Sequence, residues 1–458
     1  MRYEHVEVDK DSRNKPDFSY GECGAFPMVK FLQMVRKLSW FTSRNENIDS
    51  VNTAQRGALQ RRTLRVLLFS QLLAGVGLAA GITVGALLVQ DMLGSTGSAG
   101  IPAALFTLGS AFAAILIGRV SQKSGRRQGL AAGYGVGALG GAGVLLAVAM
   151  NNIPLLFVSL FIYGSGTAAN FQARYAGADL ADPQHRGKAI SIVLIATTLG
   201  AVLGPNLVEM SGQLAHALNL RELAGPFILS TITYGLAGLA VLLLLRPDPL
   251  LTARAFASKI EESPSNTGAK TVNTQILYVG AAALVISQLV MIAIMTMTPI
   301  HMLSHGHSLG AAGFVISIHI AAMFLPSLLS GILVDRIGQR RVIALGSVIL
   351  LSAGILAALT PSDSLIFLSL ALGLLGLGWN LSYVAGSAMV TNAVPLESRA
   401  NIQGKVDFAA ALSGAVGGMG SGFVFAAASY ATLSLIGSLL ALAMFPMLLV
   451  HKYHRSQT

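Results

Sequence analysis

The chain has 458 residues, 53% of them hydrophobic and 11% charged, with a formal net charge of +11. Soluble domains carry about 25% charged residues, so this composition excludes an ordinary soluble fold. The single cysteine, Cys23, excludes an intrachain disulfide.

Residues 1–62 are polar, with acids at Glu4, Glu7, Asp9, Asp11 and Glu22. That pattern fits neither a secretory signal nor an acid-poor transit peptide. Within them, Met28–Phe41 sets Phe31, Leu32, Val35 and Leu38 beside Lys30, Arg36 and Lys37. The segment reads either as a short helix lying on the inner leaflet or as a loosely ordered tail. Twelve apolar runs follow, near 65–93, 99–119, 128–151, 154–178, 188–212, 225–246, 274–299, 309–334, 341–360, 363–390, 403–427 and 429–450. Each approaches the roughly 20 residues that a helical bilayer crossing needs. They lack the polar face of a surface helix. The polar stretch 247–273 divides six runs from six. The expected fold class is therefore an all-α integral membrane protein, with twelve transmembrane helices in two pseudo-symmetric six-helix bundles. The expected organisation is a cytoplasmic tail (1–62), an N-terminal bundle (63–246), a cytoplasmic linker (247–273), a C-terminal bundle (274–450) and a cytoplasmic tail (451–458).

The basic residues alternate along the chain. Twelve of 31 lie between Arg2 and Arg65, and most others fall in every second loop, from Arg119, Lys123, Arg126 and Arg127 to Lys452 and Arg455. The intervening loops hold only Arg221. This positive-inside bias predicts a multi-pass protein of the cytoplasmic (inner) membrane with both termini in the cytoplasm. The basic loops lack the aromatic interleaving of nucleic-acid sites. Gly-rich stretches such as Gly133–Gly143 lie inside apolar runs and precede no phosphate-binding turn, so no enzyme chemistry is expected.

The two halves repeat in one register. Gly118, Gln122, Gly125 and Arg127 follow the second run, and Gly331, Asp335, Gly338 and Arg340 follow the eighth, 213 positions later. The same offset relates Arg186 to Arg399 and Gly204 to Gly417. A constant register through separated features points to duplicated six-helix bundles. The second copy, running from Gly331 through Asp335, Arg336 and Gly338 to Arg340 and Arg341, resembles the signature loop of the major facilitator superfamily. That resemblance covers about residues 63–450 and implies alternating access, with these loops as gates. Glycines there permit tight turns, and an aspartate can sit against a helix N-terminus. Gln122 departs from the pattern, which predicts a looser gate in the N-terminal half and more of the gating on Asp335. Gly200, Gly204 and Pro205 in the fifth run are similar to the antiporter motif of drug exporters. They read equally as close helix packing.

The seventh and eighth runs hold the chemistry-bearing cluster. Met291 and Met295 are four apart, as are His319 and Met323, so each pair shares a helix face one turn apart. Thioether and imidazole groups suit Cu(I), and neutral ligands permit release. Methionine at this spacing also reads as core packing. The paired motif resembles that of the CcoA-like bacterial copper importers. The resemblance implies Met291, Met295, His319 and Met323 as copper ligands, in an importer that supplies copper for cytochrome oxidase assembly. A riboflavin-transporting branch of that family bears similar motifs. His301, His305 and His307 at the outer mouth read as a metal-recruiting group or as a polar turn.

Further polar groups inside the runs are Gln71, Asn170, Gln172, Gln288, Asn380 and Tyr383. Arg174 and Asp179 suggest a gate-forming ion pair. Asp407 reads as a proton site or as a charge at a helix N-terminus. No mid-membrane carboxylate occurs in the N-terminal half, so proton coupling there is not expected. The function expected is a secondary transporter for copper-ion uptake. The alternative is an organic solute, through riboflavin uptake or drug efflux. No permanently bound cofactor is expected, with copper as substrate. The expected partners are the bilayer and a small solute or metal ion, the protein acting as a monomer.

Overall fold

The computed structural model describes residues 48–93, 100–261, 271–361 and 364–448. By contacts the chain divides into Met1–Thr53 and Ala54–Thr458; the architecture below is that of the second unit. The segment Met28–Phe41, Cys23 and the tail 451–458 lie outside the described residues.

The described residues form fifteen α-helices. The N-terminal half holds α1 (Ile48–Leu93), α2 (Gly100–Ser124), α3 (Arg126–Ala149), α4 (Ile153–Ala178), α5 (Arg186–Asn206), α6 (Val208–Ala217) and α7 (Gly225–Leu244). A linker helix, α8 (Pro249–Glu261), lies between the halves in sequence. The C-terminal half holds α9 (Thr274–Ser304), α10 (Leu309–Phe324), α11 (Ser327–Ile337), α12 (Gln339–Leu359), α13 (Leu365–Ala393), α14 (Arg399–Ala427) and α15 (Tyr430–Leu442). Ten segments are long and apolar enough to cross a membrane; α1 and α5–α6 complete twelve. One buried apolar cluster fills each half, with Ile190 and Leu194 of α5 joining that of the C-terminal half.

Three expected spans are broken rather than continuous, the twelfth at Ala443. The fifth divides at Leu207 and the eighth at Leu325–Pro326. Pro326 has no N–H to donate and its ring disturbs the preceding turn. Asn380 of α13 repairs this break. Its Nδ2 donates to the Met323 carbonyl at 2.7 Å and to Ser327 Oγ at 2.8 Å. Ser330 Oγ returns a hydrogen bond to Asn380 Oδ1 at 2.5 Å. Asn380, fully buried, thus supports the helix break.

The linker also differs in kind from a plain polar stretch, because Pro249–Glu261 is helical. Asp248 starts it. Its Oδ1 accepts from the Leu250 and Leu251 N–H groups at 3.0 and 3.1 Å, and its Oδ2 from Arg127 N–H at 2.7 Å. One carboxylate thereby caps two helices.

Asn380→Ala is expected to lower the melting temperature of the purified protein. Leaving buried polar groups unsatisfied costs about 1–3 kcal/mol. Leu329→Ala, at a side chain 69% exposed two residues into α11, is expected to leave it nearly unchanged.

Candidate functional site

The halves meet at the end that carries the basic loops. There α11 packs against α5 and α14 against α2, while α13 touches α4 and α5, and α10 touches α5, only lightly. The first turn of a helix leaves backbone N–H groups without partners, and each half supplies a side chain to a helix start of the other. Asp335 accepts from the N–H groups of Gly187 and Lys188 at the start of α5, both at 2.9 Å. Gln122 Oε1 accepts from the N–H groups of Ala400 and Asn401 at the start of α14, at 2.8 and 3.2 Å. All three residues of one cap stand 213 positions from those of the other. The looser gate expected from Gln122 is therefore not what the contacts form: the glutamine caps its helix as the aspartate does.

The loop glycines have two different uses. Gly125 and Gly338, also 213 apart, take φ of 93° and 90°, a region that side chains disfavour. Gly118 and Gly331 permit backbone contact between halves. A Cβ on Gly118 would stand 2.8 Å from the Ala400 carbonyl oxygen, and one on Gly331 2.6 Å from that of Gly187. Arg127 contributes its backbone N–H to Asp248. Arg336 is exposed, and Arg340 lies half-buried in the first turn of α12.

Above the caps lies a buried charge cluster. Arg126 Nε meets Asp179 Oδ2 at 2.8 Å, and its Nη2 donates across the seam to Gln403 Oε1 at 2.5 Å. Arg399 Nη1 approaches Asp179 Oδ1 at 3.8 Å from the other half. The mates of Arg399 and Asp179 in the repeat are Arg186 and Asn392, which hydrogen-bond to each other. Arg174 and Asp179 do not pair with each other, contrary to the sequence expectation. Arg174 Nη2 instead meets Asp407 Oδ1 of α14 at 2.6 Å. Its Nε donates to Ser387 Oγ at 2.8 Å and its Nη1 to the Phe171 carbonyl. The guanidinium also lies 4.1 Å from the Tyr175 ring centroid and 4.4 Å from that of Tyr383, distances suited to cation–π attraction. Asp407 stands two turns into α14, so it is not a charge in that helix's first turn.

An aromatic and amide group continues from this pair. Tyr383 stacks on Trp379 with centroids 4.4 Å apart and planes 21° apart. Phe171 meets both edge-on, at 5.8 and 6.5 Å, and Phe324 meets Trp379 at 5.9 Å. Trp379 Nε1 donates to Gln288 Oε1 at 2.7 Å. Phe171 and Gln288 keep part of their surface open. Sequence reading missed Arg126, Gln403, Phe171, Tyr175 and Trp379 as site residues. The 213-residue register, applied to Asp179 and Arg399 together, offered a signal for the charge cluster; of the aromatic and amide group, Tyr383 and Gln288 stood out as polar residues inside apolar runs.

The methionine and histidine pairs are placed as follows. Met291 is 3% and Met323 8% exposed, both within the apolar cluster, and Met295 packs on its edge. His319 is fully buried, its Nδ1–H donating to the Leu372 carbonyl of α13 at 2.8 Å. Its Nε2 has no hydrogen-bond partner among the described residues. At the C-terminal end of α9, His301 stacks on Tyr430 at 4.3 Å and lies 4.4 Å from the His305 ring. His305 Nδ1 bonds the His301 carbonyl at 2.8 Å, and the His307 N–H bonds the Met302 carbonyl at 3.1 Å. Both bonds belong to the turn that ends α9.

The family model described as Major Facilitator Superfamily matches residues 67–418 and 280–458. The uncharacterized MFS-type transporter YdeG of Bacillus subtilis (strain 168) is 51% identical over 394 residues, covering 85% of this chain and 91% of its own. The riboflavin transporter RfnT of Brucella anthropi is 30% identical over 398 residues, covering 85% and 96%. Among solved structures, the proton:xylose symporter XylE superposes with a TM-score of 0.69 at 17% identity, covering 87% of this chain and 96% of that one.

Removing one member of a buried ion pair leaves an uncompensated charge and costs about 3–5 kcal/mol, whereas an apolar pair of similar volume is often neutral. Asp407→Leu and Arg174→Met are each expected to lower the melting temperature strongly. The double variant is expected to recover most of the loss, as measured by thermal unfolding in detergent.

Proposed function

The chain belongs to the major facilitator superfamily, and we propose that it carries a small organic solute with a planar ring system across the cytoplasmic membrane, riboflavin being the first candidate. Secondary transport of small solutes is the family's activity. The observation that carries it is the group formed by Trp379, Tyr383, Phe171 and Gln288, set directly on the inter-half pair Arg174–Asp407. Aromatic faces stack on flat rings, and an amide reads a polar edge through both donor and acceptor atoms. The RfnT relative, named as a riboflavin transporter, supports the same class.

The positive-inside bias supports a cytoplasmic position for the basic loops. With those loops joined and α10 only lightly touching α5, the conformation fits one open to the outside. Uptake then requires the seam to part beneath a bound solute, which is how an alternating-access carrier exchanges its openings. Binding energy between ring and aromatic group has to offset the loss of the seam contacts.

Copper uptake stays as a second reading, favoured by one observation: His319 Nε2 is buried and unpartnered, a free imidazole nitrogen one turn from Met323. It ranks below the organic reading because a relative named as a riboflavin transporter supports the latter; Trp379 and Tyr383 lie in the same buried apolar cluster as Met291 and Met323. The expected functional unit is a monomer in the bilayer with no resident cofactor.

Purified protein in liposomes, facing a riboflavin gradient, is expected to show saturable uptake. Trp379→Ala is expected to reduce that uptake at least tenfold, while Met291→Ala and Met295→Ala leave it within twofold. Radiocopper uptake that disappears in Met291→Ala, Met295→Ala, His319→Ala and Met323→Ala, with no riboflavin flux in the parent protein, would reverse the order of the two readings.

A further inference from the structure

Gln122 faces two kinds of partner at once. Its Oε1 receives the N–H groups of Ala400 and Asn401. Its Nε2 donates to the carbonyls of Leu396 and Glu397, in the turn that precedes α14. A carboxylate only accepts, whereas a primary amide donates through nitrogen and accepts through oxygen. Asp335, its mate, meets two N–H groups and accepts from both. The two seams are therefore chemically different sockets, and an aspartate placed at 122 would set negative oxygen against two carbonyl oxygens.

The Leu396 carbonyl has a second claimant. Arg254 of the linker helix donates to it through Nε at 3.3 Å and Nη2 at 3.2 Å. The same Nη2 lies 3.1 Å from the Gln122 backbone carbonyl. Helix α8 is fixed to the N-terminal half by Asp248, which caps both α8 and α3, and by its contacts with α3 and α4. Arg254 thus reaches from an N-terminal anchor to a C-terminal loop.

We propose that Gln122 and Arg254 together form a latch on the segment Leu396–Asn401, and that the central linker is through Arg254 a working part of the basic-end gate. Opening that end breaks both the amide's bonds and the guanidinium's. Because the groups share the Leu396 oxygen, each helps hold the other's partner in place. Glutamine at 122 is then the fitted residue of this seam. Restoring the aspartate of the second copy loosens the gate instead of strengthening it. Both side chains act as positioning residues, remote from any bound solute.

The test reads gate opening directly in the full-length protein. Cys23→Ser removes the natural thiol, and Ser191→Cys supplies a reporter. Ser191 is fully buried and packs against Gly331 on the other seam, so it is exposed only when the halves part. Maleimide labelling in membranes is expected to run about three- to tenfold faster in Gln122→Asp and in Arg254→Ala than in the parent. Gln122→Glu, which keeps the length but loses the donor, is expected to behave likewise, and decides the matter should Gln122→Asp fail to accumulate. The combined Gln122→Asp and Arg254→Ala variant is expected to exceed either single one by less than the product of their effects. Labelling of Gln122→Asp and Gln122→Glu at or below the parent rate would overturn the amide's role, and unchanged labelling of Arg254→Ala the linker's. No solute is added, so the outcome is independent of what the protein carries.

Discussion

A buried ion pair whose two members belong to two different bodies is the constraint on which this molecule turns. Arg174 lies on α4 of one half and Asp407 on α14 of the other, 2.6 Å apart and largely shielded from solvent. Separating such charges without new partners costs several kcal/mol. The halves therefore stay joined at the basic end until something compensates. Tyr175, Phe171 and Ser387 hold the guanidinium in place, and Tyr383 connects it to the aromatic group through its ring face. A ligand that disturbs the aromatic stack is thereby felt at the pair. In the proposed mechanism that contact links occupancy to opening without a long-range pathway, because the groups touch.

The seam below the pair repeats one idea twice with different chemistry. Each half lends a loop side chain to the first turn of a helix in the other, where unpaired N–H groups gather. Duplication explains the placement, since both caps obey the same register. It does not impose the same residue. One copy uses a carboxylate against two N–H groups, and the other uses an amide between N–H groups and carbonyls. The charge cluster diverges too. Asp179 draws on guanidiniums from both halves, while its mate Asn392 meets Arg186 as a neutral amide. The pseudo-symmetric frame persists, and the strength of each side is tuned by single residues.

Much of this was legible in the sequence for a simple reason. Apolar length, alternating basic loops and a fixed repeat offset are local or periodic signals, and they carry the twelve-span, two-bundle fold. Pairing was less legible. Arg174 and Asp179 are neighbours in sequence, but five residues on a helix is about 140° of rotation, so their side chains leave on different faces. Their true partners lie on other helices. The substitution at Gln122 signals a lost charge in sequence, whereas the carbonyls that make an amide useful become visible only with the fold. The i,i+4 spacing of Met291 with Met295, and of His319 with Met323, guarantees a shared face within each helix. It says nothing about which neighbour that face meets, and His319 and the buried methionines lie in the apolar body of the C-terminal half. The break at Pro326 was not anticipated in the continuous eighth run, and its repair comes from Asn380, 54 residues further along the chain.

The central claim is that a planar organic solute, bound on the aromatic group, lets the basic end part. Gln128 and Arg341 are mates in the repeat and exposed at the basic ends of α3 and α12. Spin labels at these two positions, in a Cys23→Ser background, report the separation of the halves. Saturating riboflavin is expected to shift the distance distribution toward a longer separation, with the shift lost in Trp379→Ala. A distribution unmoved by riboflavin, or one moved by Cu(I) alone, would contradict it.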